Sequence, residues 1–193
     1  MGEGSRLNLY AGQVNGNQEF TTLRTGHLTN KYLPIDQILT ILKETPPRLT
    51  KLTSGLMPVQ LRTAPSAGEW SVNEVLAHLR ACDDVWGNYY IMTILAQDKP
   101  TIKAKNPRTW IKDTDYLQQD FQSSLRAFTK QRKKLLSVLE SLSPKDWART
   151  NTLIGAGKPL QQTLLSHADG LARHERAHLR QIERTLNALR SAS

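Results

Sequence analysis

Between about Leu160 and Leu189 the chain runs without a proline, and Leu164, His167, Leu171, His174, His178 and Ile182 recur at steps of three and four. That spacing is the 3.6-residue period of an α-helix with one inward face, and it cannot be reconciled with the two-residue period of a strand. A second stretch of the same kind runs from about Asp113 to Leu142, with Leu117, Phe121, Leu125, Phe128, Leu135, Val138 and Leu142 inward. A third begins at Ser71, where Glu74 three residues on forms a capping box, in which each side chain satisfies a main-chain N–H at the helix start. Its inward stripe is Val75, His78, Leu79, Cys82, Val85, Trp86 and Tyr89. A fourth carries Ile35, Ile38, Leu39 and Leu42, then resumes with Leu49, Leu52 and Leu56 after Pro46-Pro47; two prolines that cannot donate predict a kink or a restart there.

Four long amphipathic segments with no strand alternation between them predict an all-α protein, a four-helix bundle whose inward faces share a core. The 193 residues, 38% of them hydrophobic, suffice for one well-buried domain, expected over residues 31–193. Residues 1–30 are rich in Gly, Asn, Gln and Thr without periodicity and are expected to form an irregular or disordered arm; His27 within it is read as a surface residue. Residues 149–159, RTNTLIGAGKP, are expected to connect two helices. Here GAGKP lacks the earlier glycine and the Ser or Thr of a phosphate loop and is read as a turn.

Charge and cysteine usage constrain partners only loosely. Lys and Arg outnumber Asp and Glu 26 to 17, a balance that attracts anions. Arg173, Arg176, Arg180 and Arg184 line one side of the last helix, and Arg126, Lys130, Lys133 and Lys134 cluster on the preceding one. Without interleaved aromatics both sets read as solvated helix faces, so nucleic acid is not the expected partner, although a non-catalytic basic bundle that binds it is the alternative function. One cysteine excludes an intrachain disulfide and fits a reducing cytoplasm. No apolar run approaches the roughly 18 residues of a membrane span, and the N-terminus lacks the apolar core of a signal peptide, so a soluble cytoplasmic protein is expected.

The chemistry concentrates in His174-Glu175-Arg176-Ala177-His178, which satisfies H-E-x-x-H. Histidines one helical turn apart can converge on one ion, and His78 on the seam of another helix supplies a third imidazole. Burying such rings costs about 1–3 kcal/mol apiece unless something pairs with them, and a metal ion is such a partner; the competing reading is a structural bundle with merely packed histidines. His167 lies too far along the helix axis to join both C-terminal histidines and is read as a core residue. A zinc protease is disfavoured. Gln181 and Arg184 stand where the long form of that motif needs Gly and His, Glu183 is the sole carboxylate downstream, and no strand edge is foreseen for an extended peptide. Glu175 is then read as solvent-facing, and Cys82 as an inert core thiol, with a fourth-ligand role as the alternative.

Two stretches, EWSVNEVLAHLRACDDVW around His78 and HERAHLRQI around His174, His178 and Gln181, resemble the DinB-like (DinB/YfiT) family of metal-dependent enzymes. TPPRLTKLTSGL and RKKLLSVLESLSPKDWART look like further landmarks of that family, so the likeness runs from about residue 34 to 190. The resemblance implies a four-helix bundle with a three-histidine site, His78, His174 and His178, for a divalent metal, zinc or nickel, with open positions for water. It implies an enzyme acting on a small molecule, a hydrolase or a transferase using a low-molecular-weight thiol such as mycothiol or bacillithiol, and relatives that often pair as homodimers. In many members another histidine precedes the last ligand; here that position is Ala177. No catalytic residue is assigned from sequence.

Overall fold

The computed structural model describes residues 31–191, and the N-terminal arm together with His27 lies outside them. Four long helical rods form the framework of the described residues: α1 (Ile35–Thr53), α3 (Val72–Cys82) with its continuation, α6 (Phe121–Glu140) and α8 (Leu164–Ser191). Short helices α2 (Pro58–Arg62), α5 (Pro107–Trp110) and α7 (Pro144–Trp147) lie in the connections. The expected bundle is present. No helix among the described residues is long and apolar enough to cross a membrane.

α3 begins as its sequence dictates: the Ser71 hydroxyl accepts from Glu74 N, and the Glu74 carboxylate accepts from Ser71 N at 2.7 Å. Beyond Cys82 the rod is wound as a π-helix, Asp83–Ile91, before returning to α-geometry in α4 (Met92–Ala96). The wider winding turns the stripe. Val85 is buried as expected, but farther on Tyr90, Ile91 and Ile94 face the core while Trp86 and Tyr89 are only half-buried. Gly87 lies against α6, where an added Cβ would come within 2.8 Å of a Leu135 methyl and would require that side chain to shift.

Three further expectations are corrected. α1 does not restart at Pro46-Pro47: both prolines lie inside one continuous helix. Pro46 leaves the Leu42 carbonyl without its helical donor, and the Arg132 guanidinium, from α6, donates to that oxygen at 2.9 Å instead. The third long helix starts at Phe121 rather than near Asp113, because the Asp120 carboxylate caps it by accepting from Gln122 N and Ser123 N; Leu117 lies before the helix and is exposed. The connection after α7 is not wholly irregular. β2 (Thr150–Ile154) pairs antiparallel with β3 (Leu160–Thr163), with Gly155 and Gly157 at positive φ in the turn that holds GAGKP, and β2 pairs in parallel with β1 (Thr101–Lys103). This small sheet draws β1 from the connection between the second and third rods and β2 and β3 from the connection between the third and the last, and α8 starts directly from β3 at Leu164.

Two apolar clusters fill the interior. One gathers Ile38, Leu42, Val85, Ile91, Leu139 and Leu171, and the other gathers Leu49, Val75, Leu79, Phe128, Leu179 and Ile182. On three rods polar residues lie between them, Thr45 on α1, Arg132 on α6, and His174, Glu175 and His178 on α8, while on α3 His78 sits between Leu76 and Leu79 of the second cluster.

Candidate metal centre

His78 arrives on the inward face of α3, two turns beyond the Ser71 cap, and His174 and His178 sit one turn apart on α8. Their rings meet. His174 Nε2 lies 3.2 Å from His78 Nε2 and 3.1 Å from His178 Nε2, so three ring nitrogens of the same kind point at one spot. Two ligands about 2.1 Å from a zinc ion stand about 3.4 Å apart at a tetrahedral angle and about 3.0 Å apart at a right angle, and the observed separations fall between. Three nitrogens facing one another can share at most one or two protons as hydrogen bonds; a cation satisfies all three lone pairs.

The remaining ring nitrogens agree with that orientation. His178 Nδ1 pairs with Gln181 Oε1 at 2.8 Å, which makes Nδ1 the protonated nitrogen and leaves the Nε2 lone pair aimed inward. Cys82 Sγ is 3.6 Å from His78 Nε2 and 3.8 Å from His174 Nδ1, packed beneath the rings. Burial, reinforced by the charges of Asp83 and Glu175, holds this thiol well above its ordinary pKa, as befits an inert core residue. Trp70 stacks parallel to His178 with centroids 6.1 Å apart, and Trp86 meets His174 edge-on at 4.9 Å. The indoles restrict the directions in which the rings can turn.

Burial is the first cause that depresses the histidines. His78 is lowered to about 3, with His178 and Arg108 adding to the effect, and His174 to about 2, with His178, His78 and Arg108 adding. His178 is lowered by burial too, with the Gln181 hydrogen bond opposing. All three are therefore neutral at pH 7, the state in which imidazole can bind a metal. His174 and His178 are half-buried rather than central in the core, for the seam of α8 passes through Leu171, Glu175, Leu179 and Ile182 beside them. That offset places His174 and His178 at the edge of the core rather than in its middle.

Glu175 is the main correction at the site: it is 0% exposed, not solvent-facing. It pairs with the Arg132 guanidinium through both carboxylate oxygens. Arg132 also binds Asp83, at 2.6 Å for Nη2 to Oδ1 and 3.2 Å for Nε to Oδ2. Burial works against the Arg132 charge, but the two carboxylates outweigh it and raise its pKa; burial likewise pushes the Asp83 carboxyl up, against the pull of Arg132. With its oxygens turned away from the histidines and held by a guanidinium, Glu175 is not placed to act as a base. The sequence did carry a signal for this network, since Arg132 continues the Leu125, Phe128 stripe and Glu175 lies four residues after Leu171. His167 stands apart, its Nε2 2.9 Å from Asn151 Oδ1 on β2, as expected of a core histidine.

The fold and this cluster define a class, helical bundles that gather three histidines from two of their rods. Residues 41–182 match the DinB superfamily, and the chain belongs to that family. Two relatives carry the name "putative metal-dependent hydrolase". One, from Oceanobacillus iheyensis, is 31% identical over 65% of this chain and 70% of its own; the other, from Geobacillus thermodenitrificans, is 28% identical over 60% and 64%. Among solved structures, YfiT from Bacillus subtilis, described as a probable metal-dependent hydrolase with an unusual four-helix bundle topology, superposes with a TM-score of 0.67 at 20% identity, covering 84% of this chain and 91% of that one. The mycothiol-dependent maleylpyruvate isomerase superposes with a TM-score of 0.56 at 13% identity, covering 78% and 61%. At these identities the structures speak for the fold alone.

Proposed function

We propose that this protein is a metal-dependent enzyme acting on a small molecule, with a divalent ion held by His78, His174 and His178 in the bundle of residues 31–193. The observation that carries the reading is the convergence of three Nε2 atoms at 3.1 and 3.2 Å, on rings kept neutral by burial. Imidazole ligands suit zinc or nickel, and with three neutral donors the ion keeps its charge and an open position. Held by these three residues, it would supply the acidification of water or thiol that hydrolysis or thiol transfer needs. The names of the Oceanobacillus and Geobacillus relatives favour hydrolysis.

The chain's own residues perform the rest. Gln181 fixes the tautomer of His178; Trp70 and Trp86 wall the cluster and keep its surroundings poor in water. The H-E-x-x-H letters thus supply two ligands and a structural carboxylate, not the ligand-and-base set of a zinc protease. The test is elemental analysis of the purified protein alongside His78→Ala. One divalent ion per chain is expected in the parent and almost none in the variant; full retention in His78→Ala would overturn the site.

A further inference from the structure

One cation at the rim of the histidine cluster has no counter-charge among the described residues. Arg108 occupies the second position of α5, and its main chain is fixed: the Asn106 side chain accepts from Arg108 N at 2.9 Å, and Pro107 beside it is buried. Its guanidinium lies over Trp70, the central carbon 4.9 Å from the ring centroid. The same indole is stacked on His178 and meets His78 edge-on at 5.1 Å. Arg108 is thus held one ring's breadth from the histidines.

Nothing among the described residues neutralises it. No carboxylate there lies within 4.0 Å of Arg108. Most described arginines of this basic chain share that lack, only Arg132, Arg173 and Arg48 having such a partner, but Arg108, exposed to solvent, is the one stacked on an indole that also packs on His178 and His78. Asp84, the acid near this loop, is already taken by the Trp110 indole, the Tyr116 hydroxyl and the Gln131 amide. Lys105, from the same loop, spends its charge against two ring faces, 4.1 Å from the Tyr89 centroid and 4.3 Å from that of Trp110. A guanidinium stacked by one face on an aromatic ring keeps its in-plane N–H groups free, in the fork that matches a carboxylate or phosphate.

We propose that Arg108 binds an oxyanion of the substrate, so that this site takes small anionic molecules whose carboxylate or phosphate rests at Arg108 while the reacting end reaches the histidines. The inference deepens the metal-enzyme reading and rests on it. Trp70 supplies the apolar wall along which the intervening carbons lie, and its ring links the anion-binding end to the ligand end.

The probes are ω-mercaptoalkanoates of two to five carbons, each set against a neutral alkanethiol of the same length, added to protein loaded with cobalt(II). The sulfur-to-cobalt absorption band reports binding at the cluster. At the best chain length the carboxylate thiol should bind about tenfold more tightly than its neutral partner, the strength expected of a charge-assisted hydrogen-bonded pair. Arg108→Met should erase that preference while leaving cobalt content and neutral-thiol affinity unchanged, and Arg108→Lys should restore only part of it. Cobalt uptake with equal binding of both thiols, or a preference that survives in Arg108→Met, overturns the role of Arg108 alone. Failure of the parent protein to take up cobalt overturns the metal reading and this proposal together.

Discussion

The rods α3 and α8 contribute to two polar clusters that are neighbours in sequence and opposites in chemistry. His174 and Glu175 are consecutive, and Cys82, packed under the histidine rings, is followed by Asp83. One residue of each pair turns toward the histidine cluster and the other toward Arg132. In the second cluster every charged group has an ion-pair partner inside the protein, with two carboxylates and a main-chain carbonyl gathered on one guanidinium. In the first, three acceptor nitrogens face one another and His78 Nδ1 has no partner among the described residues. A buried polar group that is fully paired is accounted for by the fold, and one left facing its own kind is accounted for by something the fold receives.

The largest effect should come from breaking the paired cluster. Arg132→Met strands two carboxylates in the core and should cost about 3–5 kcal/mol of stability in urea unfolding; adding Asp83→Leu and Glu175→Leu should recover most of that. If the single variant is as stable as the parent, the two clusters do not differ as described. Gln181→Ala attacks the other cluster at its edge. It should weaken metal binding roughly 10- to 100-fold in a chelator competition while barely moving the stability of the metal-free protein, because it releases the tautomer of His178 without opening a cavity in the core.

Acid separates the clusters by smaller steps. His78, His174 and His167 are lowered to about 3, 2 and 4, so below the unfolded value of 6.5 the unfolded chain binds protons that the folded chain refuses. Stability of the metal-free protein should therefore fall as pH drops from 7 to 5.5, by about 1 kcal/mol for each such histidine, and keep falling toward the folded values. Urea midpoints across that range measure it. Replacing His167 by Gln should remove one share of the slope and leave metal content intact, and a flat profile would contradict neutral buried rings.

Much of this was legible in the sequence, because helix periodicity, the Ser71–Glu74 cap and the three histidines are all local patterns. What escaped was set at a distance. Pro46-Pro47 reads as a break until Arg132, from another rod, takes the carbonyl that Pro46 leaves free. The π-winding after Cys82 has no composition of its own, and strands as short as Thr101–Lys103 and Leu160–Thr163 are too brief to show alternation. Glu175 was misplaced because H-E-x-x-H directs the eye to the histidines, although its spacing from Leu171 marks it as inward. Arg132 hid among the basic residues of α6, distinguished from Lys130 and Lys133 only by lying in line with Phe128.

Arg132 extends from α6 and touches α1 at the Leu42 carbonyl, the rod of α3 at Asp83 and α8 at Glu175. No three of these rods can dock without the fourth and leave the ionic knot complete. A partial assembly would either hold a charge out of water with too few partners or keep the knot wet and the core open. Completing the knot therefore requires all four rods, which ties the placement of the histidines on two of them to the docking of the other two.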